Sequence, residues 1–202
     1  EMAAASPTPL IFGVIPPLMH GAAQIAMLSQ LFIGSTIVLV SKFDAEGVWD
    51  LVDAHGINSV IITGDAVARP MIEALEAGAG RWDASSLISV SSSAALFSQS
   101  VKERFLERFP DLIITDSIGS TEGGFHAVTY AAKGAKVDGG GPTVNPGRDV
   151  AVLDDDLNVI PARDTTVGRL GRTGNIPLGY YNDPAKTAEV FVTANDGNRY
   201  SM

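Results

Sequence analysis

The chain has 202 residues, with 14 Lys+Arg against 23 Asp+Glu and a formal net charge of −9. An acidic balance of this size argues against nucleic acid and anionic membrane surfaces as partners, since both are held by clustered cations. Charged residues are only 18% of the chain against 46% hydrophobic, and zero Cys removes disulfides, thiolate metal sites and a cysteine nucleophile.

Residues 2–41 carry no Asp, Glu, Lys or Arg. Pro7, Pro9, Pro16, Pro17, Gly13, Gly21 and Gly34 interrupt that stretch. Its one helix-length piece, Ala22 to Phe32, is about half the roughly 20 residues that a membrane span needs, so no transmembrane span is expected. Leu10 to Ile15 reads as a strand stopped by Pro16-Pro17. Ala22 to Phe32 reads as a helix apolar nearly all round, as in one buried inside a larger body. Thr36 to Val40 is a β-branched strand. Asp44 caps a helix running to about Ala54 that Gly56 closes, Ser59 to Thr63 is a strand, and Val67 to Ala77 is helical with Pro70 near its start. Leu87 to Val90 and Leu112 to Thr115 are strands flanking a helix from Val101 to Phe109, with Ser98 as its cap and Pro110 after it. Short apolar strands alternating with helices predict an α/β fold, a parallel sheet layered with helices on both faces.

After about Lys133 the texture changes. Gly139-Gly140-Gly141-Pro142 is linker-like, Asp149 to Leu153 and Asn158 to Pro161 alternate like a hairpin across Asp154-Asp155-Asp156, and Val167 to Leu170 is a third short strand. A short helix from about Ala185 to Val190 follows the turn Asn182-Asp183-Pro184. The predicted organisation is an α/β domain over 1–138 and a small antiparallel, barrel-like β domain over 139–202, truncated at its C-terminal end. With Glu at position 1 and no polar tail after Arg199-Tyr-Ser-Met202, the chain reads as a piece of a longer polypeptide. Its low charge then predicts exposed apolar surface and self-association.

Thr115-Asp-Ser-Ile-Gly-Ser-Thr-Glu-Gly-Gly124 directly follows a buried parallel strand. Ligands of such sheets bind beyond the carboxyl ends of the strands, where strand-to-helix turns expose backbone N–H groups. Gly119 would allow close approach of the backbone, Ser120 and Thr121 offer hydroxyls to a phosphate, and Glu122 can reach phosphate through Mg²⁺. An ordinary strand-to-helix turn with a Ser/Thr cap is the equal alternative at this stage. Ser91-Ser-Ser-Ala-Ala95, after Val90, lies at the same sheet edge, and its small residues suit a flat ring; a flexible turn is the plainer reading. His20, at the start of a helix, reads by itself as a buried, hydrogen-bonded histidine.

Other chemistries fail on inspection. There is no Gly-x-x-x-x-Gly-Lys-Ser/Thr phosphate loop. Gly119-Ser-Thr-Glu-Gly123 mimics a nucleophile elbow with Thr121 at its centre, and His126 follows too closely to complete a triad. Asp154, Asp156 and Asn158 have calcium-loop spacing, yet Val159 and Thr165 stand where Gly and Glu are required. His20, His55 and His126 have no metal-ligand spacing.

Four segments in order carry a resemblance. Asp116-Ser-Ile-Gly-Ser-Thr-Glu122 resembles the Tyr-Gly-x-Thr-Glu signature of the adenylate-forming acyl-CoA synthetase superfamily of AMP-binding enzymes. Pro17-Leu-Met-His20-Gly resembles its Pro-Leu-x-His segment, and Ser91-Ser-Ser-Ala-Ala-Leu96 its Gly-Gly-Ala-Pro-Leu adenine loop. Gly179-Tyr-Tyr-Asn-Asp-Pro-Ala-Lys-Thr-Ala-Glu-Val-Phe191 resembles its Gly-Tyr-x-Asn-x-Pro-x-x-Thr-x-x-x-Phe stretch. The resemblance is to bacterial fatty-acyl-CoA ligases, and it implies a cytoplasmic enzyme of two steps. A carboxylic acid attacks the α-phosphate of Mg·ATP to give an acyl-adenylate, and the thiol of coenzyme A then displaces AMP.

On this resemblance Thr121 would bond the α-phosphate and Glu122 would hold Mg²⁺. Ser92, Ser93 and Ala94, with Asp116, Ser117, Ile118, Gly119 and Ser120, would bind the nucleotide. His20 would lie beside the reacting carboxylate, and Gly123, Gly124 and Phe125 would continue the acyl pocket. Ile118 replaces the family's adenine-stacking Tyr and Ser92-Ser93 its Gly-Gly, which implies a rearranged adenine contact. The family's phosphate loop, first subdomain and C-terminal lid are not in these residues, and its ribose-binding Asp would fall just past Met202, so the chain alone is expected to be inactive. An acyl-AMP ligase loading a carrier protein and a non-catalytic nucleotide or acyl binding module are the alternatives.

Overall fold

The computed structural model describes residues 10–133 and 145–202. The expected boundary near residue 138 and the stretch Gly139-Gly140-Gly141-Pro142 lie outside the described residues. These divide into two compact units, 10–117 with 129–133, and Ile118–Val128 with 145–202.

In the first unit, strands and helices alternate: β1 Ile11–Val14, α1 Gly21–Phe32, β2 Thr36–Leu39, α2 Ala45–His55, β3 Ser59–Ile62, α3 Gly64–Ala77, β4 Ser89–Ser93, α4 Gln99–Arg108 and β5 Ile113–Ser120. The strands run parallel in the order β2-β1-β3-β4-β5, as the alternation of strand and helix requires. Local chemistry sets the helix ends. The Asp44 carboxylate accepts from Gly47 N at 2.8 Å, and Gly56, at φ +61°, closes α2 in the left-handed region.

Side chains of β1 and β3 alternate between two apolar layers. Val60 and Ile62 join Trp49, Met71 and Phe105 of α2, α3 and α4 in the main core, and Phe12, Val14 and Ile61 pack on Ala23 of α1 in the second. The Trp49 indole N–H donates to Met71 O at 2.7 Å, so the largest core side chain is also satisfied as a donor.

Three details depart from the sequence reading. β4 starts at Ser89 and runs to Ser93, because Ser59 and Ser89 pair at 2.5 Å through their hydroxyls and the parallel register continues through Ser92. α3 begins at Gly64, before the expected Val67, because Gly64 N donates to Ser92 Oγ (3.0 Å) and Asp65 N to Leu96 O (2.8 Å), which satisfies its first free N–H groups. α1 buries only Ala23, while Ile25, Leu28, Leu31 and Phe32 are exposed. No described helix is long and apolar enough to cross a membrane.

The second unit is antiparallel. It holds the residues 124–128 that begin β6 (Gly124–Ala131), then β7 Asn145–Pro146, β8 Val150–Leu153, β9 Arg169–Arg172, α5 Pro184–Val190, β10 Phe191–Thr193 and β11 Arg199–Ser201. β7 pairs with β6, and a separate four-stranded sheet has the order β10-β11-β9-β8 around Leu153, Ala194 and Tyr200. The second arm of the expected 158–161 hairpin is reduced to one bridge, Leu153 to Val159, since Asp154 turns back to cap Asn158 N at 2.8 Å and Leu157 sits at φ +63°. The third strand lies at Arg169–Arg172 because its register with β8 places Arg169 opposite Leu153 and Arg172 opposite Val150, leaving Val167 exposed. The β10–β11 hairpin, turning at Gly197 (φ +83°), was not foreseen.

Candidate active-site residues

In the first unit, the parallel register of β4 and β5 sets Ser92 beside Asp116 and Ser93 beside Ser117 at the carboxyl edge of the sheet. Ser93 Oγ donates to Ser117 O at 3.2 Å, and Ser117 Oγ returns a bond to Ser92 O at 3.1 Å. The Ser92 hydroxyl is buried and accepts from Gly64 N at 3.0 Å. Ala94 sits at φ +70°, a strained conformation for a residue with a Cβ, and is exposed at the end of the strand.

Asp116 is held from behind. Lys102 of α4 is 6% exposed, and its Nζ donates to Asp116 Oδ2 at 2.9 Å while lying 5.2 Å above the centre of the buried Phe97 ring. Lys102 was missed in the sequence, where a lysine in an amphipathic helix reads as solvated.

His20 is not buried, contrary to its reading as an isolated residue. It caps α1 from an exposed position, with Nδ1 accepting from Ala22 N at 3.3 Å. A cap needs an acceptor in front of the first turn, and a tight turn closed by His20 N on Pro17 O (2.9 Å) leads the chain into it. With Nδ1 an acceptor, the neutral ring carries its proton on Nε2.

In the second unit, the segment after β5 is a hairpin and not a strand-to-helix turn. Thr121-Glu122-Gly123 connects β5 to its neighbour β6, and a connection of three residues between adjacent strands makes them antiparallel. Glycine permits it: Gly124 has φ +69°, and a Cβ on Gly119 would lie 2.5 Å from Gly124 O. Ser120 Oγ accepts from Gly123 N at 2.8 Å, while Thr121 projects into solvent, and Ile118 and Phe125 are 41% and 51% exposed.

Arg172 of β9 fixes this turn by donating to Gly123 O (2.6 Å) and Phe125 O (3.2 Å). The Tyr180 hydroxyl donates to Glu122 Oε1 at 2.5 Å, and this bond to a carboxylate pushes the Tyr180 pKa up to about 12. Under the turn lies His126, 6% exposed, its Nε2 without a partner among the described residues. Burial, and then the Arg172 charge, hold its pKa below the ordinary value.

The described residues contain no group of three or more His, Asp or Glu able to hold a metal by themselves. Glu122 does fit Mg²⁺ bound jointly with phosphate: Tyr180 occupies Oε1, and Oε2 makes no hydrogen bond among the described residues. Mg²⁺ takes one or two carboxylates plus phosphate oxygens and water rather than an all-protein cage.

The chain belongs to the AMP-binding enzyme family, whose model matches residues 6–181. It is 50% identical over 192 residues to a 3-oxocholest-4-en-26-oate–CoA ligase of Rhodococcus rhodochrous, covering 93% of this chain and 34% of that protein. It is 37% identical over 193 residues to the medium-chain acyl-CoA ligase Mig of Mycobacterium avium, covering 94% and 34%. Among solved structures it is similar to the nonribosomal peptide synthetase FmoA3 in its α-methyl-L-serine-AMP-bound form, with TM-score 0.83, 21% identity and coverage of 98% and 23%. It is also similar to CmiS6, with TM-score 0.79, 19% identity and coverage of 100% and 54%. The chain spans about a third of the length of the curated relatives it matches.

Proposed function

We propose that this chain is the central part of an ATP-dependent acid–thiol ligase. The ligase joins a carboxylic acid to AMP with release of pyrophosphate, then transfers the acyl group to the coenzyme A thiol with release of AMP. One observation carries the reading: a glycine-built hairpin, fixed by Arg172, presents the exposed Thr121 beside a Glu122 that keeps one carboxylate oxygen uncommitted. Thr121 Oγ1 donates to an α-phosphate oxygen. Glu122 Oε2 holds Mg²⁺, which, when bound, neutralises phosphate charge. The β4–β5 edge, with Ser92, Ser93, Ala94, Asp116 and Ser117, takes the adenosine along with Ile118, Gly119 and Ser120. His20 Nε2–H donates to an oxygen of the reacting carboxylate, and Gly123, Gly124 and Phe125 line the acyl group.

Relatives named as ligases of a steroid-derived acid and of medium-chain acids support a bulky or extended acyl substrate and CoA as acceptor. The setting is the cytoplasm, in fatty-acid metabolism. Self-association through the exposed apolar residues of α1 belongs to the same proposal. It predicts a sedimentation coefficient of the isolated chain that rises with concentration, and a constant monomer value opposes it. The ligase reading is tested by acid-dependent pyrophosphate release from ATP in the full-length ligase, with Thr121→Val and Glu122→Ala reducing it by about tenfold to a thousandfold. Wild-type rates in both variants would remove these residues from the reaction.

A further inference from the structure

We propose that Lys102 is a positioning residue for base recognition: it holds Asp116 as a fixed, open acceptor that selects an adenine over a 6-oxopurine nucleotide. This rests on the reading of the β4–β5 edge as the adenosine site.

The geometry is asymmetric. Asp116 Oδ2 is taken by Lys102 Nζ, while Oδ1 has no partner among the described residues, and the Asp116 side chain keeps 15% of its surface exposed. Lys102 is packed behind it, with its side chain 8% exposed and its ammonium over Phe97. Register with Ser92 puts Asp116 directly beside the Ser92–Ala94 segment. A carboxylate is acceptor-only, and adenine offers an N6 amino donor where guanine and hypoxanthine present an O6 acceptor. A carboxylate so placed attracts the first and repels the others.

As a stabilising device the pair is poorly motivated. A buried ion pair does no better than a well-packed apolar pair, whereas losing one partner is strongly destabilising. Lysine supplies a way to keep a carboxylate oriented at an edge where a substrate, and not the protein, offers the remaining donor.

The test compares ATP with ITP in acid-dependent pyrophosphate release by the full-length ligase, for wild type, K102M, K102R and the double variant K102M/D116N, with melting temperatures alongside. A hydrogen bond to a charged group is worth about one to two decades of affinity. K102M should therefore raise KM for ATP by about tenfold or more with a smaller change in kcat, and lower the ATP-to-ITP ratio of kcat/KM by a similar factor. K102R should retain most of both. The double variant should recover the melting temperature, since no unpaired charge is left, without recovering the preference for ATP, because an amide both donates and accepts. If K102M does not fold, K102R and the double variant carry the comparison. An unchanged ATP-to-ITP ratio in K102M, or a preference for ATP that returns with stability in the double variant, overturns the proposal and leaves the ligase reading standing. No pyrophosphate release by wild type with any nucleotide overturns both.

Discussion

Gly64 is the position at which fold and candidate site are most tightly coupled. It opens α3 at φ +51°, and a Cβ built on it would lie 2.3 Å from Leu96 O and 2.8 Å from the Ala95 carbonyl carbon. Both are backbone atoms of the segment following β4, so no side-chain rotation relieves the clash. In Gly64→Ala the left-handed conformation costs roughly 1–2 kcal/mol, and displacing packed neighbours about 1–3 kcal/mol more. A total of about 2–5 kcal/mol corresponds, in a chain of this size, to a melting temperature lower by about 4–20 °C. Gly80→Ala is the internal control, since Gly80 has φ +83° with nothing within 4 Å of its built Cβ and meets only the conformational cost. Urea midpoints and melting temperatures of the two variants give the comparison directly. If Gly64→Ala is no more destabilised than Gly80→Ala, the close approach of α3 to the Ala95–Leu96 backbone is not a constraint and the reasoning fails.

The remaining predictions concern the hairpin and its supports. In an absorbance titration of tyrosinate, Tyr180→Phe should remove a component with its midpoint near pH 12. The folded pKa is raised, so the bond to Glu122 contributes below pH 10 and is lost as pH rises from 10 towards 12; a stability difference between wild type and Tyr180→Phe that does not shrink over that window would refute this. His126 has its folded pKa lowered, so it contributes stability above its ordinary value of 6.5, lost as pH falls below it. Wild type should therefore weaken more than His126→Leu between pH 7.5 and 5, and parallel urea midpoints would exclude that role. In the full-length ligase, Glu122→Ala should cost adenylation mainly at limiting Mg²⁺ with acid binding kept, and equal losses at all Mg²⁺ concentrations would count against it.

Much of the α/β layer is legible because its signals are local. Asp44 as a cap and Gly56 as a left-handed stop act within four residues of the helix they bound. What escaped the sequence depends on distant pairing. The extent of β4 follows from hydroxyl pairing with Ser59, 30 residues earlier, and the start of α3 from Ser92, 28 residues later. The candidate residues named from the sequence form contiguous stretches, whereas the side chains that hold them do not. Lys102 reaches Asp116 across 14 residues, Arg172 reaches Gly123 across 49 and Tyr180 reaches Glu122 across 58. Tyr180 lies in a segment that resemblance had already marked, without a partner to suggest its task. The Thr121–Gly123 turn misled because small polar residues after a parallel strand suit a helix start and a hairpin equally; the neighbouring β6, whose alternation was not read, decides for the hairpin.

Under the proposed function, these residues serve a ligase that activates a carboxylic acid as its adenylate and passes it to a thiol. The most direct measurement is AMP release by the full-length ligase over a panel of short, medium, long-chain and steroid-derived carboxylic acids, with and without coenzyme A. The account predicts AMP release that requires acid, ATP and coenzyme A together and is greatest with the extended or ring-bearing acids. No AMP release with any acid, or release unaffected by coenzyme A, would contradict it.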